Sequence, residues 1–184
     1  MTTITPLAIP EVLLITPQRH GDARGWFAET WSETVMAKAG LVHPFVQDNQ
    51  AFNARNDTLR GLHFQKAPHA QGKLVRVVRG AIYDVAVDIR PGSATYGRWV
   101  AAALTAAGGE QLFVPRGFAH GYCTTAADTE LFYKVDGQYA PELEGGVAWD
   151  DPDLAIAWPL EGPPVLSEKD QKLPQLKELG AVEF

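Results

Sequence analysis

The chain has 184 residues, 46% of them apolar and 21% charged, which excludes a disordered or collagen-like polymer and predicts one domain over residues 1–184. Its net charge of −6 argues against a nucleic-acid partner, which needs a cationic surface, so any bound anion must be met by a few gathered cations. No apolar run reaches the roughly 18–20 residues of a membrane span and the N-terminus lacks the basic flank of a signal peptide; the expectations are no membrane partner and a cytoplasmic location.

The first predicted element is a short helix over residues 33–39, with Ser32 as N-cap and Gly40 at the C′ position. From Gln47 to Trp149 the chain reads as short strands separated by Arg79-Gly80, Pro91-Gly92, Gly108-Gly109 and Pro115-Arg116-Gly117. Strands are predicted at 74–78, 81–90, 98–104, 111–114, 119–124 and 129–135, where β-branched and aromatic residues concentrate. In the second of these, Tyr83, Val85, Val87 and Ile89 alternate with Asp84, Asp88 and Arg90, so one face is expected to be core. A second helix, over residues 170–179, is interrupted by Pro174. Many short strands in one unit imply an all-β sandwich or barrel. Cys123 is the lone cysteine; it has no partner for a disulfide or a CxxC site and reads as an inert buried thiol.

His63, within Leu59-Arg60-Gly61-Leu62-His63-Phe64-Gln65, is the first chemical candidate. An imidazole titrates near neutral pH and can take a proton from carbon, although a histidine in an apolar strand is more often structural. Ideal alternation sets Arg60 and His63 on opposite faces, so if both serve one site Gly61 must mark a bulge. Metal binding is the rival reading. A metal-binding barrel would present His-x-His followed closely by Glu, whereas Phe64 and Gln65 follow His63, and His69 and His120 lack ligand spacing. No metal and no cofactor are therefore expected. Tyr133 shares a face with Leu131 and Val135; it is either a core tyrosine or, if that face lines a cavity, a proton donor opposite a histidine. Lys73, Arg60, Arg24 and Lys169 are the cations suited to a pyrophosphate or an enolate, although solvated positions are commoner for such residues. Gln47 and Asn49 share strand parity and are able to read a sugar or base edge.

These pieces resemble a known family, the dTDP-4-dehydrorhamnose 3,5-epimerases. The resemblance rests on Asp22-Ala23-Arg24-Gly25-Trp26-Phe27, Gln47-Asp48-Asn49, Leu59-Arg60-Gly61-Leu62-His63, Gly72-Lys73-Leu74-Val75, the run from Val114 to Gly121, and Leu166-Ser167-Glu168-Lys169-Asp170, in that order along the chain. It implies a cupin-type jelly-roll barrel without a metal, usually a homodimer, acting on a dTDP-4-keto-6-deoxyhexose. It assigns His63 as general base with Asp170 as its carboxylate partner, Tyr133 as general acid, and Lys73 to the substrate's carbonyl oxygen. His120 is implied to contact the sugar, and Arg24, Glu29, Gln47, Asn49, Arg60, Glu144 and Lys169 to hold nucleotide, pyrophosphate or sugar. Phe27 is implied to pack on the thymine, from the neighbouring subunit in one arrangement. Gln138-Tyr139 stands where members commonly carry two adjacent tyrosines, leaving Tyr139 without the first stacking partner. Relatives that invert only C3 or only C5 keep the same base and acid, so the resemblance fixes reaction type more firmly than extent. A metal-dependent cupin enzyme and a carbohydrate-binding cupin are the other readings.

Overall fold

The computed structural model describes residues 1–38, 40–42 and 44–184. Its strands in chain order are β1 (Thr3–Pro6), β2 (Leu13–Thr16), β3 (Arg19–Asp22), β4 (Gly25–Ala28), β5 (Gln47–Asn53), β6 (Leu59–Gln65), β7 (Lys73–Arg79), β8 (Ala81–Asp88), β9 (Trp99–Thr105), β10 (Gln111–Val114), β11 (Phe118–Thr124), β12 (Thr129–Val135) and β13 (Glu144–Gly146). They form a six-stranded sheet in the order β1-β2-β10-β7-β12-β5, a five-stranded sheet in the order β13-β6-β11-β8-β9, and a separate β3–β4 hairpin. The named strand pairs are all antiparallel. This is the expected all-β, cupin-type jelly roll.

Strand alternation decides which side chains enter the barrel. Ile9, Val12, Val75, Val77, Ile82, Ala86, Leu104, Leu112 and Leu131 fill one cluster, in which strands of both sheets meet. On β8 both faces are buried, and not only the apolar one. Val85, Val87 and Ile89 pack outward under Leu154, Leu176 and Val182 of the C-terminal segment. The face with Ile82, Asp84 and Ala86 looks into the barrel, where Asp84 is fully buried. The polar face is therefore interior, with Asp84 turned onto His120 between the core residues Ile82 and Ala86.

The helix runs Glu33–Lys38. Gly40, at φ 79°, closes it: Leu41 N–H donates to Met36 O and Gly40 N–H to Ala37 O, both at 3.0 Å, the paired bonds of a glycine-terminated helix. Ala39, the last residue of the predicted helix, lies outside the described residues. The predicted second helix is instead two 3-10 turns, Asp170–Lys172 and Leu176–Glu178. Pro174, which lacks an N–H and restricts the residue before it, separates them. The first of these turns carries Asp170 to the barrel.

Gly61 does mark a bulge. His63 pairs with His120 while Arg60 pairs with Tyr122, so β6 holds one residue more than β11 across that interval. The extra residue restores Arg60 and His63 to the same side. Gly61 has φ 110°, and a Cβ there would lie 2.7 Å from His120 O and 2.8 Å from Gly121 Cα, both backbone atoms that cannot swing away. Gly61→Ala is expected to cost about 3 kcal/mol or more, from the disfavoured φ and the overpacking together. The denaturant midpoint measures this, and a midpoint equal to wild type would show that the bulge is not the strained position described.

Candidate functional site

Five strands converge on one cavity of about 180 Å³, lined by Arg60 and His63 from β6, Lys73 and Val75 from β7, His120 and Tyr122 from β11, Leu131 and Tyr133 from β12, and Ala51 from β5. The five-stranded sheet supplies both histidines and Arg60; the six-stranded sheet supplies Lys73 and Tyr133. His63 and Tyr133 thus enter one space from opposite walls. His63 also borders two adjoining hollows. One is lined by Gln47, Asn49, Gln71, Tyr139 and Glu144, and the other by Thr58, Ser167, Lys169 and Asp170.

Each cavity histidine is tied to a buried carboxylate. His63 Nε2 lies 2.5 Å from Asp170 Oδ1, and His120 Nε2 lies 2.6 Å from Asp84 Oδ1. Because Nε2 of His63 is engaged by an acceptor, a neutral ring carries its proton there and leaves Nδ1 with the lone pair a base requires. Burial alone would raise the Asp170 carboxyl, but His63, the Ser167 side chain and the Gly61 N–H together hold it below the ordinary carboxylate value. Asp170 therefore stays ionised at neutral pH and stabilises an imidazolium formed beside it.

Lys73 projects from β7 among these groups. Burial pulls its pKa down to about 8, against the opposing charges of Asp84 and Glu144. Tyr133 is pushed up by burial, partly offset by Arg60, so its phenol keeps its proton at neutral pH. Register places Tyr133 between Val75 of β7 and Asn49 of β5, with Gln47 and Asn49 at the mouth. Gln47 Nε2 donates to Asn49 Oδ1 at 2.8 Å. At the rim, Lys169 Nζ lies 2.6 Å from Glu144 Oε2, and Tyr139 O–H donates to the same oxygen at 3.1 Å. Burial would raise Glu144, yet Lys169 and Tyr139 keep it low and anionic.

The structure thus brings together His63, Lys73, Asp170, Tyr133, Arg60, His120, Gln47, Asn49, Tyr139, Glu144 and Lys169. It does not bring Arg24, Phe27 and Glu29 to the cavity within one chain. They belong to the β3–β4 hairpin and the residue after it: Phe27 is 70% exposed, Glu29 is exposed, and Arg24 pairs with Asp22 at 2.6 Å in solvent. Two interior residues have no role assigned by the sequence reading, Asp84 behind His120 and Asn53 behind Arg60. Asn53 shares the parity of Gln47, Asn49 and Ala51 along β5, a signal that was present. Among the described residues, no three His, Cys, Asp or Glu side chains are grouped to hold a metal ion, and no helix is long and apolar enough to cross a membrane.

Such a site can take a proton from a carbon acid on one face, stabilise the resulting oxyanion with an ammonium, and return a proton from the other face. A profile of the family described as dTDP-4-dehydrorhamnose 3,5-epimerase matches residues 6–178. The chain is 52% identical over 173 residues to the dTDP-4-dehydrorhamnose 3,5-epimerase of Sinorhizobium fredii, covering 94% of this chain and 89% of that one. It is 39% identical over 169 residues to a dTDP-4-dehydrorhamnose 3-epimerase of Streptomyces niveus, covering 91% and 81%. In structure it is similar to the dTDP-6-deoxy-D-glucose 3,5-epimerase of Legionella pneumophila, solved with dTDP-4-keto-L-rhamnose. That match has a TM-score of 0.95 and 38% identity, and covers 100% of this chain and 99% of that one.

Proposed function

The chain belongs to the dTDP-4-dehydrorhamnose 3,5-epimerase family, and is thus an isomerase of the epimerase class; from that premise we propose how its cavity inverts the carbons flanking a ketone. The substrate is dTDP-4-dehydro-6-deoxy-D-glucose and the product dTDP-4-dehydro-L-rhamnose. A C–H beside a ketone is a weak acid, so its removal needs a placed base and a charge waiting for the oxyanion. His63 Nδ1 takes the proton, its ring held by Asp170. The electron pair moves into an enolate whose oxygen, O4, faces the Lys73 ammonium. Tyr133 then delivers a proton to the same carbon from the opposite wall and inverts it. His63 releases its proton and Tyr133 regains one before the next carbon is treated. C3 and C5 both flank C4, so one oxyanion site serves both.

The observation that carries this reading is the entry of His63 and Tyr133 into a single cavity from opposite sheets, with Lys73 on the same lining. The anionic end of the substrate needs cations in an acidic protein: Arg60 serves the diphosphate, and Lys169 reaches it by leaving Glu144. Tyr139, Gln47, Asn49, Glu144 and His120 complete the sugar and nucleotide contacts. Arg24, Phe27 and Glu29 reach a site only from the second copy of a homodimer, with Phe27 on the thymine. The proposed chemistry uses no metal and no cofactor, and the proposed location is the cytoplasm, where a sugar-nucleotide substrate would be met.

Reducing the product at C4 and determining its stereochemistry tests the extent of reaction. An L-configured deoxyhexose is expected, because inversion at C5 converts the D series to the L series. A D-configured product inverted at C3 alone would reassign the chain to the behaviour of its Streptomyces niveus relative.

The pH profile follows from Lys73. An ammonium is charged below its pKa, and burial sets that value at about 8. The profile of kcat/KM is therefore expected to fall about tenfold per unit above that pH, as the charge facing O4 is lost. A profile that stays flat up to the ordinary lysine range would show that the reaction does not use this charge.

A further inference from the structure

Arg60 is held from behind by a residue that is not among those lining the cavity of His63 and Tyr133. Its Nε donates to Asn53 Oδ1 at 2.9 Å and its Nη2 to the backbone oxygen of Phe52 at 3.3 Å. These two bonds spend the inner edge of the guanidinium and leave the outer fork, Nη1 with the second N–H of Nη2, for an anion. A planar fork recognises a phosphate only if its plane is fixed, so what fixes the plane bears on affinity.

Asn53 is built for that task. It is the last residue of β5 and is 2% exposed. Its Nδ2 donates to Thr129 O in its own sheet at 3.2 Å. Its Oδ1 accepts from Arg60 and also from the Tyr122 hydroxyl at 3.3 Å, and both of these residues lie in the opposite sheet. One amide therefore spans the join between the sheets and anchors Arg60 to the frame. Burial pushes the Tyr122 phenol up to about 12, so its hydroxyl remains a donor and keeps the Asn53 carbonyl turned toward Arg60. An aspartate here would neutralise the guanidinium, and an apolar residue would leave Nε unpaired; the amide orients the cation and leaves its charge for the ligand.

We propose that Asn53 is a positioning residue for diphosphate binding, fixing the guanidinium plane of Arg60 through an amide bridge between the two sheets. This rests on the reading of Arg60 as a diphosphate ligand. The residue acts on ground-state anchoring and not on proton transfer, so its signature is a change in KM with kcat preserved.

The test is a double-mutant cycle read by calorimetric titration with dTDP, alongside steady-state kinetics on the 4-keto sugar nucleotide. Asn53→Ala is expected to weaken dTDP binding about tenfold, the loss typical of one hydrogen bond to a charged group, and to raise KM similarly with kcat within about twofold. Arg60→Ala should weaken binding more, and adding Asn53→Ala to it should cost almost nothing further, because there is no guanidinium left to orient. Asn53→Ser, which keeps a polar group but ends one bond short of the amide oxygen that accepts from Arg60, should reproduce the loss, and it keeps the test available if the alanine variant fails to fold. If Arg60→Ala leaves dTDP affinity unchanged, the reading of Arg60 itself fails. If Arg60→Ala weakens binding but the Asn53 variants do not, or if the two losses add in full, Asn53 does not act through Arg60 and the proposal is overturned. A fall in kcat with KM unchanged would overturn it as well.

Discussion

His63→Ala is expected to lower kcat by between about 10² and 10⁴, the usual contribution of a placed general base, and to leave the C3 and C5 hydrogens of the substrate unexchanged in D2O. The cavity holds a second imidazole, so the prediction separates two rings of similar environment. Both have Nε2 committed to a buried carboxylate. His63, however, stands where the cavity meets the hollows that carry Glu144 and Lys169, while His120 is set deeper, 8% exposed, beside Asp84. His120→Ala is thus expected to retain exchange at C3 and C5 while binding the sugar less well. Persistent exchange in His63→Ala, together with its loss in His120→Ala, would reverse the roles. Proton NMR of the substrate after incubation in D2O reads exchange in both variants, and KM reads the sugar binding of His120→Ala.

Tyr133→Phe is expected to separate the two halves of the reaction. The ring remains, so the packing against Val75 and Asn49 on either side is preserved; only the hydroxyl is lost. His63 can still remove a proton, exchange it with solvent and return it to the same face. Deuterium should therefore enter recovered substrate with its configuration retained, while inversion falls by about 10² to 10³. The variant's thermal midpoint should stay within a few degrees of wild type, because no cavity is created. If inversion continued at the wild-type rate, the proton would be coming from another group or from water, and Tyr133 would be a wall residue only. If exchange and inversion were lost together, the phenol would serve in the abstraction step as well.

Much of the fold is written in local patterns. The strands at 111–114 and 129–135 appear at the expected bounds, and those at 74–78, 98–104 and 119–124 within one residue at each end, because β-branched runs between glycine and proline turns leave little choice. The N-terminal strands did not announce themselves: β1 and β3 are four residues each and acquire their state from their partners rather than from propensity. The 81–90 segment shows a limit of alternation. Polar residues on one face of a strand normally mean solvent, but here Asp84 and Asp88 are buried against His120 and Arg90, and the apolar face is covered by a C-terminal segment whose path has no period to read.

At the site, the parity conflict between Arg60 and His63 was the informative feature. It demanded a bulge, and Gly61 supplies one. Local pattern could not reach the long-range pairs, and Asp170 is assigned to His63 only through the family resemblance. Asp170 is separated from His63 by 107 positions and Asn53 from Tyr122 by 69; the return of the C-terminal segment creates the first pair and the closure of one sheet on the other the second. The hairpin residues Arg24, Phe27 and Glu29 illustrate the opposite case, where the motif is plain and a single chain leaves it away from the cavity.

A crystal structure of the protein with a non-reacting dTDP-hexose in the cavity tests the central claim most directly. The pyranose is predicted to lie between His63 and Tyr133, one ring toward each face, with His63 Nδ1 and the Tyr133 hydroxyl within about 3.5 Å of the same carbon and the Lys73 ammonium at the position of O4. A sugar bound with both rings on one face, or seated outside the space they share, would contradict it.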